Sequence, residues 1–392
     1  MKKAALLLFS CALVVCACEK DPSGKNPVKE SDLTGETVDV EVMGFGYSGP
    51  RKIFVLNEGQ MGSNNASLDI LRMSDGQYIT GVFKKVNPDA GGLGDVGNDI
   101  VVIGDEVWIV VNNSGIVEVI SAEDEKEIAA IAVPTPRRIA YDDNYAYVTS
   151  WAGSFITYDK DENGVSYIKE SANFKGKVYK IDLQTKKVEG SVEVGYQPEG
   201  IALLDGKLYV ANSGGISCSL PPDYAYDPTV SVIDTESFSV TESLDVEINL
   251  KDVYADAFRK SIYVTTQGNY FDVHTGLYVI QADKNVYCAS QYVSVSSNHY
   301  NDVYCIGAEE EYDWENPART WSAWAWRNGH KELLILPLDG LTPYGLFVPK
   351  DGVYLIADAG DYFNPGTVTL VAGGRQAWTV TAGVCPGHFA IW

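Results

Sequence analysis

The sequence predicts an all-β protein, a seven-bladed β-propeller over residues 51–392 closed by the C-terminal strand joining the N-terminal blade. Three observations carry that prediction. A short apolar–aromatic–apolar run recurs along the chain, almost no segment has a helical period, and the two ends of the repeat region are complementary half-units.

The recurring run appears as Ile53-Phe54-Val55-Leu56-Asn57-Glu58-Gly59, Leu208-Tyr209-Val210-Ala211-Asn212-Ser213-Gly214 and Ile262-Tyr263-Val264-Thr265-Thr266-Gln267-Gly268. Val107-Trp108-Ile109, Ala146-Tyr147-Val148 and Val353-Tyr354-Leu355 fit more loosely. After a loop, each is followed by an alternating run such as Leu68–Leu71, Ile116–Ile120, Val178–Ile181, Val230–Ile233, Leu277–Ile280, Leu333–Leu336 or Val368–Val371. β-Branched and aromatic residues at period 2 between turn signals read as strands. Ahead of each aromatic strand a polar turn leads into another apolar strand, as in Gly97-Asn98-Asp99-Ile100, Pro136-Arg137-Arg138-Ile139, Gln197-Pro198-Glu199-Gly200-Ile201, Lys251-Asp252-Val253, Tyr300-Asn301-Asp302-Val303 and Pro343-Tyr344-Gly345-Leu346.

The last segment, Cys385–Ile391, has this leading form with no aromatic strand after it, whereas the first aromatic strand, at Ile53, has no leading strand before it. Joining the two halves completes a blade and removes an exposed edge, which is how a propeller ring closes. The count is seven blades, with the sixth, near residues 296–340, the least regular.

Residues 1–17 read as a signal peptide: Met1-Lys2-Lys3, then an apolar stretch from Ala4 to Ala17, too short to span a bilayer comfortably. Val15-Cys16-Ala17 directly before Cys18 resembles a lipobox, making Cys18 the expected lipidated residue; Cys16 and Cys11 are rivals, but Cys18 is followed at once by polar Glu19-Lys20-Asp21. Residues 18–50, rich in Pro, Gly, Ser and charge, read as a tether with an end-to-end distance on the order of 30 Å. Glu19-Lys20-Asp21 also resembles the acidic tag that sends lipoproteins of the Bacteroidetes to the outer face of the outer membrane, which implies a lipid-anchored location facing the cell exterior. A net charge of −23 argues against nucleic-acid partners. Cys218, Cys288, Cys305 and Cys385 show no metal spacing, and their oxidation state is open between disulfides and buried thiols.

Because strands alternate in direction, the turns before the inner strands and the loops after the aromatic strands share one face. Unusual residues collect there. The expected ligand contacts are Asn57, Asn98, Asn112, Arg137, Arg138, Trp151, Gln197, Glu199, Asn269, Tyr270, Tyr300, Asn301, Trp324, Tyr344, Tyr362 and His388. Loops rich in Trp, Tyr and Asn offer flat apolar area plus amide hydrogen bonds, a mixture suited to large ligands of both characters. The Trp-rich stretch from Tyr312 to Trp326 is the densest cluster.

Asp159, Asp161, Asn163 and Glu170 satisfy the spacing of an EF-hand loop, which makes calcium a candidate there, although strands flank the loop instead of helices. His299 and His388 are expected on the busy face. No Ser/His/Asp order with a nucleophile elbow is present, and no catalytic residue is assigned. Asp99, Glu199, Asp252 and Asp302 could form the metal ring of a lactonase-like hydrolase; salt-linked polar residues around a channel are the plainer account, since Arg137, Arg138 and Lys251 share the ring.

Phe54-Val55-Leu56-Asn57-Glu58-Gly59 with Gly62-Ser63-Asn64-Asn65, and Asp358-Ala359-Gly360-Asp361-Tyr362 with Pro365-Gly366-Thr367 and Pro386-Gly387-His388-Phe389, resemble the first and last blades of YncE-like propeller lipoproteins of Bacteroidetes. The resemblance covers about residues 51–392. It implies the propeller fold. Through the BtuG-type members it also implies binding of cobalamin, or a related corrinoid, and its transfer to a TonB-dependent outer-membrane transporter. Two other readings stay open: an adhesion or interaction module that docks a protein or glycan, and a metal-dependent hydrolase.

Overall fold

The computed structural model describes residues 33–46, 49–215, 225–269, 272–308 and 319–392. Cys18, the signal segment, Cys218, Tyr270 and the first part of the Trp-rich stretch lie outside them. Seven antiparallel sheets surround one axis, each with four strands from the axis outward, and the first carries a fifth on its outer edge. The inner strands are Pro386–Ile391 in blade 1, then Gly97–Ile103, Pro136–Tyr141, Pro198–Leu204, Leu250–Asp256, Val295–His299 and Pro343–Lys350 in blades 2 to 7.

Closure is as expected: Pro386–Ile391 pairs antiparallel with Lys52–Asn57, with Ile53 opposite Ile391 and Phe54 opposite Ala390. Among the described residues helix is confined to short pieces, Val82–Val86, Glu41–Met43 and Pro88–Ala90.

The core lies in the seams between blades. The third residue of each second strand faces the next blade, and six of the seven are aromatic: Phe54, Trp108, Tyr147, Tyr209, Tyr263 and Tyr304, with Leu355 in blade 7. Five of those aromatics are at most 2% exposed, Tyr209 being the exception. Burying such side chains is the main source of stability.

The segment read as the end of the tether packs on the propeller from Leu33. Glu36–Thr37 pairs with Gln77–Tyr78 and covers the outer edge of blade 1. Met43 inserts into the seam between blades 7 and 1 at 1% exposure, and the Trp378 indole donates to the Asp39 carbonyl at 3.0 Å.

Blade 6 departs from the sequence reading. Tyr300 and Asn301 form the turn between Val295–His299 and Asp302–Gly307, so Asp302 begins the second strand, not the inner one. The third strand is Ser322–Arg327 and the outer strand His330–Leu334. Val303-Tyr304-Cys305-Ile306 is the aromatic strand, displaced by one strand from the expected frame because the polar turn before it mimics a leading turn.

A backbone device recurs at the top of the inner strands. Val96, Thr135, Gln197, Asn249 and Cys385, each immediately before an inner strand, have φ between 38° and 64°. A register shift accompanies the top of the inner strand in every blade but the sixth. A left-handed residue followed by a bulge swings the next side chains toward the axis. The strands also approach closely there: a Cβ on Gly200 would lie 2.5 Å from the Lys251 carbonyl oxygen.

Candidate functional site

The mouth is built where the inner strands begin. Arg138, from blade 3, reaches three other blades: its guanidinium donates to the Asn98 carbonyl of blade 2, lies 3.1 and 3.2 Å from the His388 ring nitrogens of blade 1, and pairs with Asp252 of blade 5 at 3.3 Å. Burial works against its charge, but Asp252, Asp99 and Glu199 outweigh it and hold its pKa above the ordinary value. His388 shows the opposite effect. Burial first, then the Arg138, Lys251 and Arg137 charges, hold it well below the usual imidazole value, so it stays neutral and can accept from Arg138. Asp252 also accepts from the Ser296 hydroxyl at 3.1 Å. Together these groups floor the mouth with a salt-linked plug.

Above the floor, Arg137 donates to Glu199 at 2.9 Å and Asn98 at 3.0 Å and lies 4.4 Å from the centre of the Trp151 ring. That fixes a flat indole on the rim of blade 3. Across the mouth, the Tyr344 hydroxyl donates to Glu58, and its ring meets Tyr362 edge-on at 5.9 Å. Burial and the Glu58 carboxylate push the Tyr344 phenol upward, keeping it protonated. Gln60 donates to the Tyr362 carbonyl at 3.3 Å and joins the loops of blades 1 and 7, where Met61, Tyr362 and Phe363 are 75, 47 and 73% exposed.

The sequence-predicted residues divide. Arg137, Arg138, Trp151, Glu199, Tyr344, Tyr362 and His388 converge on the mouth. Asn57, Asn98 and Asn112 are at most 5% exposed and spend their amides on the scaffold. Asn57 bonds Ser67 and Gly383, tying blade 1 to blade 7; Asn112 donates to the Pro136 carbonyl of blade 3; Asn98 exchanges bonds with Arg137. Gln197 is buried, with its carbonyl accepting from Ser213. Asn269 closes its own loop onto Asp272 and Val273.

Tyr300, Asn301 and His299 sit at the opposite end of the axis, as the corrected frame of blade 6 requires. Trp324, at 1% exposure, belongs to the seam between blades 5 and 6 and is core. Lys251 and Asp252, placed by the sequence in the axial ring but not among the expected ligand contacts, join the site. The apolar rim residues Met61 and Phe174 were missed, because single apolar residues in loops carry no pattern.

The EF-hand spacing belongs to a hairpin, Phe155–Lys160 paired with Ser166–Ala172. Asp161 accepts the Asn163 and Val165 amides of its own turn, Asp159 pairs with Lys169 at 3.3 Å, and Glu170 lies opposite Thr157. Among the described residues no group of three His, Cys, Asp or Glu side chains is arranged to hold a metal ion. The acidic ring is likewise dispersed: Glu199 and Asp252 are paired with arginines, Asp99 accepts two backbone amides, and Asp302 pairs with Arg327 at the other end. Cys288, Cys305 and Cys385 are free, and burial pushes the Cys385 thiol up to about 11.

No family model matches the sequence, and no curated protein does. Solved structures similar in fold include hydrazine synthase of Kuenenia stuttgartiensis, at 17% identity and a TM-score of 0.52, over 70% of this chain and 76% of that one. Another is a functionally unknown protein from Desulfotomaculum acetoxidans DSM 771, at 11% identity and a TM-score of 0.56, over 87% of this chain and 98% of that one. At these identities the likeness is one of fold, and the shared architecture is the β-propeller.

Proposed function

We propose that this protein is a lipid-anchored, surface-exposed binding propeller whose mouth takes cobalamin or a related corrinoid and passes it to a TonB-dependent outer-membrane transporter, without catalysing a reaction. One observation supports this reading above the rest: the axis is floored by mutually paired charges, while the rim carries a half-buried indole at Trp151 and exposed apolar groups at Tyr362, Phe363 and Met61. A floor whose acids and bases already satisfy one another favours recognition over proton transfer. A broad aromatic rim with few free polar groups suits a large ligand with an apolar edge and amide arms. The axial carboxylates give no support to a hydrolase, because arginines and backbone amides already occupy them.

The test is calorimetry of the chain from Glu19 onward with cyanocobalamin. Saturable heat at micromolar concentration is expected, and Trp151→Ala or Tyr362→Ala should weaken binding roughly 5- to 30-fold, as for aromatic anchors. Absence of heat removes this ligand.

A second reading is favoured by the hairpin of blade 3. Phe155, Tyr158, Val165 and Tyr167 are 45 to 62% exposed, more apolar surface than a solvated arm needs. An interaction module would co-purify with an outer-membrane protein through this arm and ignore cobalamin.

A further inference from the structure

The seams between blades end, on the face opposite the mouth, in a repeated arrangement. The aromatic at the third position of the second strand ties its polar tip to a nearby acid: Trp108 to Glu106 at 3.1 Å, Tyr147 to Asp142 at 2.7 Å, Tyr263 to Asp256 at 3.1 Å and Tyr304 to Asp351 at 3.3 Å. Tyr209, the equivalent residue between blades 4 and 5, has no hydrogen-bond partner among the described residues. The acid of its own turn, Asp205, is drawn away to Lys260 of blade 5 at 2.7 Å.

The result is an open groove of about 210 Å³ at this seam. Its floor includes Val232, Leu244, Ile262 and Ile280, with Val232, Ile262 and Ile280 at most 3% exposed. Two ion pairs bridge the blades along its walls, Lys260 with Asp205 and Lys284 with Glu242 at 2.5 Å. Lys207 lines the same groove, with no ion pair within 4 Å among the described residues, and its charge acts on Asp234 and Glu242.

The geometry points to a binding site for a small organic monocarboxylate with an apolar body, separate from the mouth. The Lys207 ammonium and the Tyr209 hydroxyl make no hydrogen bond among the described residues, so both can donate to an anionic or strongly accepting head. A single negative charge fits. Each acid of the walls has its own lysine, and Lys207 is a third cation of the lining, shared with Asp234 across the strand pair, whereas a phosphate dianion would meet Asp205 and Glu242 with no arginine fork to hold it. The apolar floor takes the body. The volume is below the roughly 300–1,000 Å³ of pockets for drug-sized ligands, so the body is short.

The probe is hexanoate, titrated by ligand-observed NMR into the chain from Glu19 to Trp392, with hexylammonium and butyrate as comparators. Saturable binding of hexanoate is expected, with a dissociation constant on the order of 0.1–1 mM for so small a ligand. Butyrate should bind several-fold more weakly, and hexylammonium should not saturate. Lys207→Gln should weaken hexanoate about three- to tenfold and Tyr209→Phe about threefold. Ala282→Trp, which fills the mouth of the groove from an exposed position, should abolish binding while circular dichroism stays that of the parent. Equal binding of hexylammonium, no saturation by about 10 mM hexanoate, or hexanoate binding untouched by both Lys207→Gln and Ala282→Trp would each overturn the site. The groove and the mouth lie on opposite faces, so either can fail without the other.

Discussion

Replacing Arg138 by Met keeps the side chain's length and apolar stem but removes the charge that links four blades. The substitution deletes the bond to the Asn98 carbonyl, the contact with His388 and the 3.3 Å pair with Asp252. Breaking a buried ion pair costs about 3–5 kcal/mol when the partner is left alone. Here Arg138 and Asp252 keep 13 and 16% of their side-chain surface, and Asp252 retains the Ser296 hydroxyl at 3.1 Å and Lys251 at 3.9 Å. The pair's share therefore falls to about 2 kcal/mol, and the orphaned Asn98 carbonyl adds about 1 kcal/mol. Urea unfolding should show a loss of about 3 kcal/mol with an unchanged m-value. Asp252→Asn in the same background should recover part of it, giving a coupling energy of about 1–2 kcal/mol. A loss under about 0.5 kcal/mol, or strict additivity of the two substitutions, would show that the plug carries no structural tension and that the closed floor is incidental.

The neutral, buried His388 must take up a proton in acid. Its folded pKa lies below the unfolded 6.5, so its contribution is fully present above about pH 6.5 and is lost as pH falls through that value. The parent should therefore lose up to about 1.4 kcal/mol per pH unit in this window through this group, and His388→Gln should flatten that slope in urea titrations at pH 5–7. Glu118 works the other way. Burial, then the Glu127 carboxylate, raise it to about 8, and its Oε1 has no hydrogen-bond partner among the described residues. Stability falls as pH rises from about 4.5 to about 8, and Glu118→Gln should gain about 2–4 kcal/mol at pH 8.5 by thermal or urea unfolding. Asn57→Ala leaves Gly383 and Ser67 without their partner at a blade junction and should cost about 1–3 kcal/mol by the same assay, with cyanocobalamin affinity unchanged.

Much of the fold was legible because strand period, turn chemistry and the unmatched end segments all depend on local sequence. The pairing of Ile391 with Ile53 followed from Cys385–Ile391 lacking an aromatic successor. The frame of blade 6 was not legible, since Asp302-Val303-Tyr304 satisfies a leading turn and an aromatic strand equally well. The buried asparagines misled for a related reason: Asn57 and Asn112 sit where strand passes to loop, and sequence does not reveal that the next blade covers them. Nor did it reveal the left-handed residues, because Val96, Thr135 and Cys385 are types that seldom adopt positive φ. The EF-hand pattern failed on context, as its carboxylates are oriented by a hairpin. Arg137-Arg138 was visible as a dipeptide, but that its two residues part company, one to the rim and one across the axis, depends on the bulge between Val148 and Ser150.

The same bulges explain why a sevenfold scaffold presents an asymmetric mouth. Each blade is a four-stranded meander, but the inner strands differ in what the bulge delivers: an amide and a carboxylate from blade 2, two guanidiniums from blade 3, a carboxylate from blade 4, an ammonium and a carboxylate from blade 5, a phenol from blade 7 and an imidazole from blade 1. In blade 6 the left-handed residue is Tyr292, three positions before the inner strand, no register shift follows within that strand, and the blade contributes only the small Ser296 hydroxyl to the plug. Charge is thus concentrated over blades 2 to 5 and aromatic surface over blades 7 and 1, with Trp151 facing them from blade 3. In the plug Arg137, Arg138 and Lys251 balance Asp99, Glu199 and Asp252, and Glu58, accepting from Tyr344, adds one negative charge beside the aromatic half. The proposed corrinoid would therefore meet polar groups on one half of the rim and flat apolar ones on the other, an asymmetry that would favour one orientation.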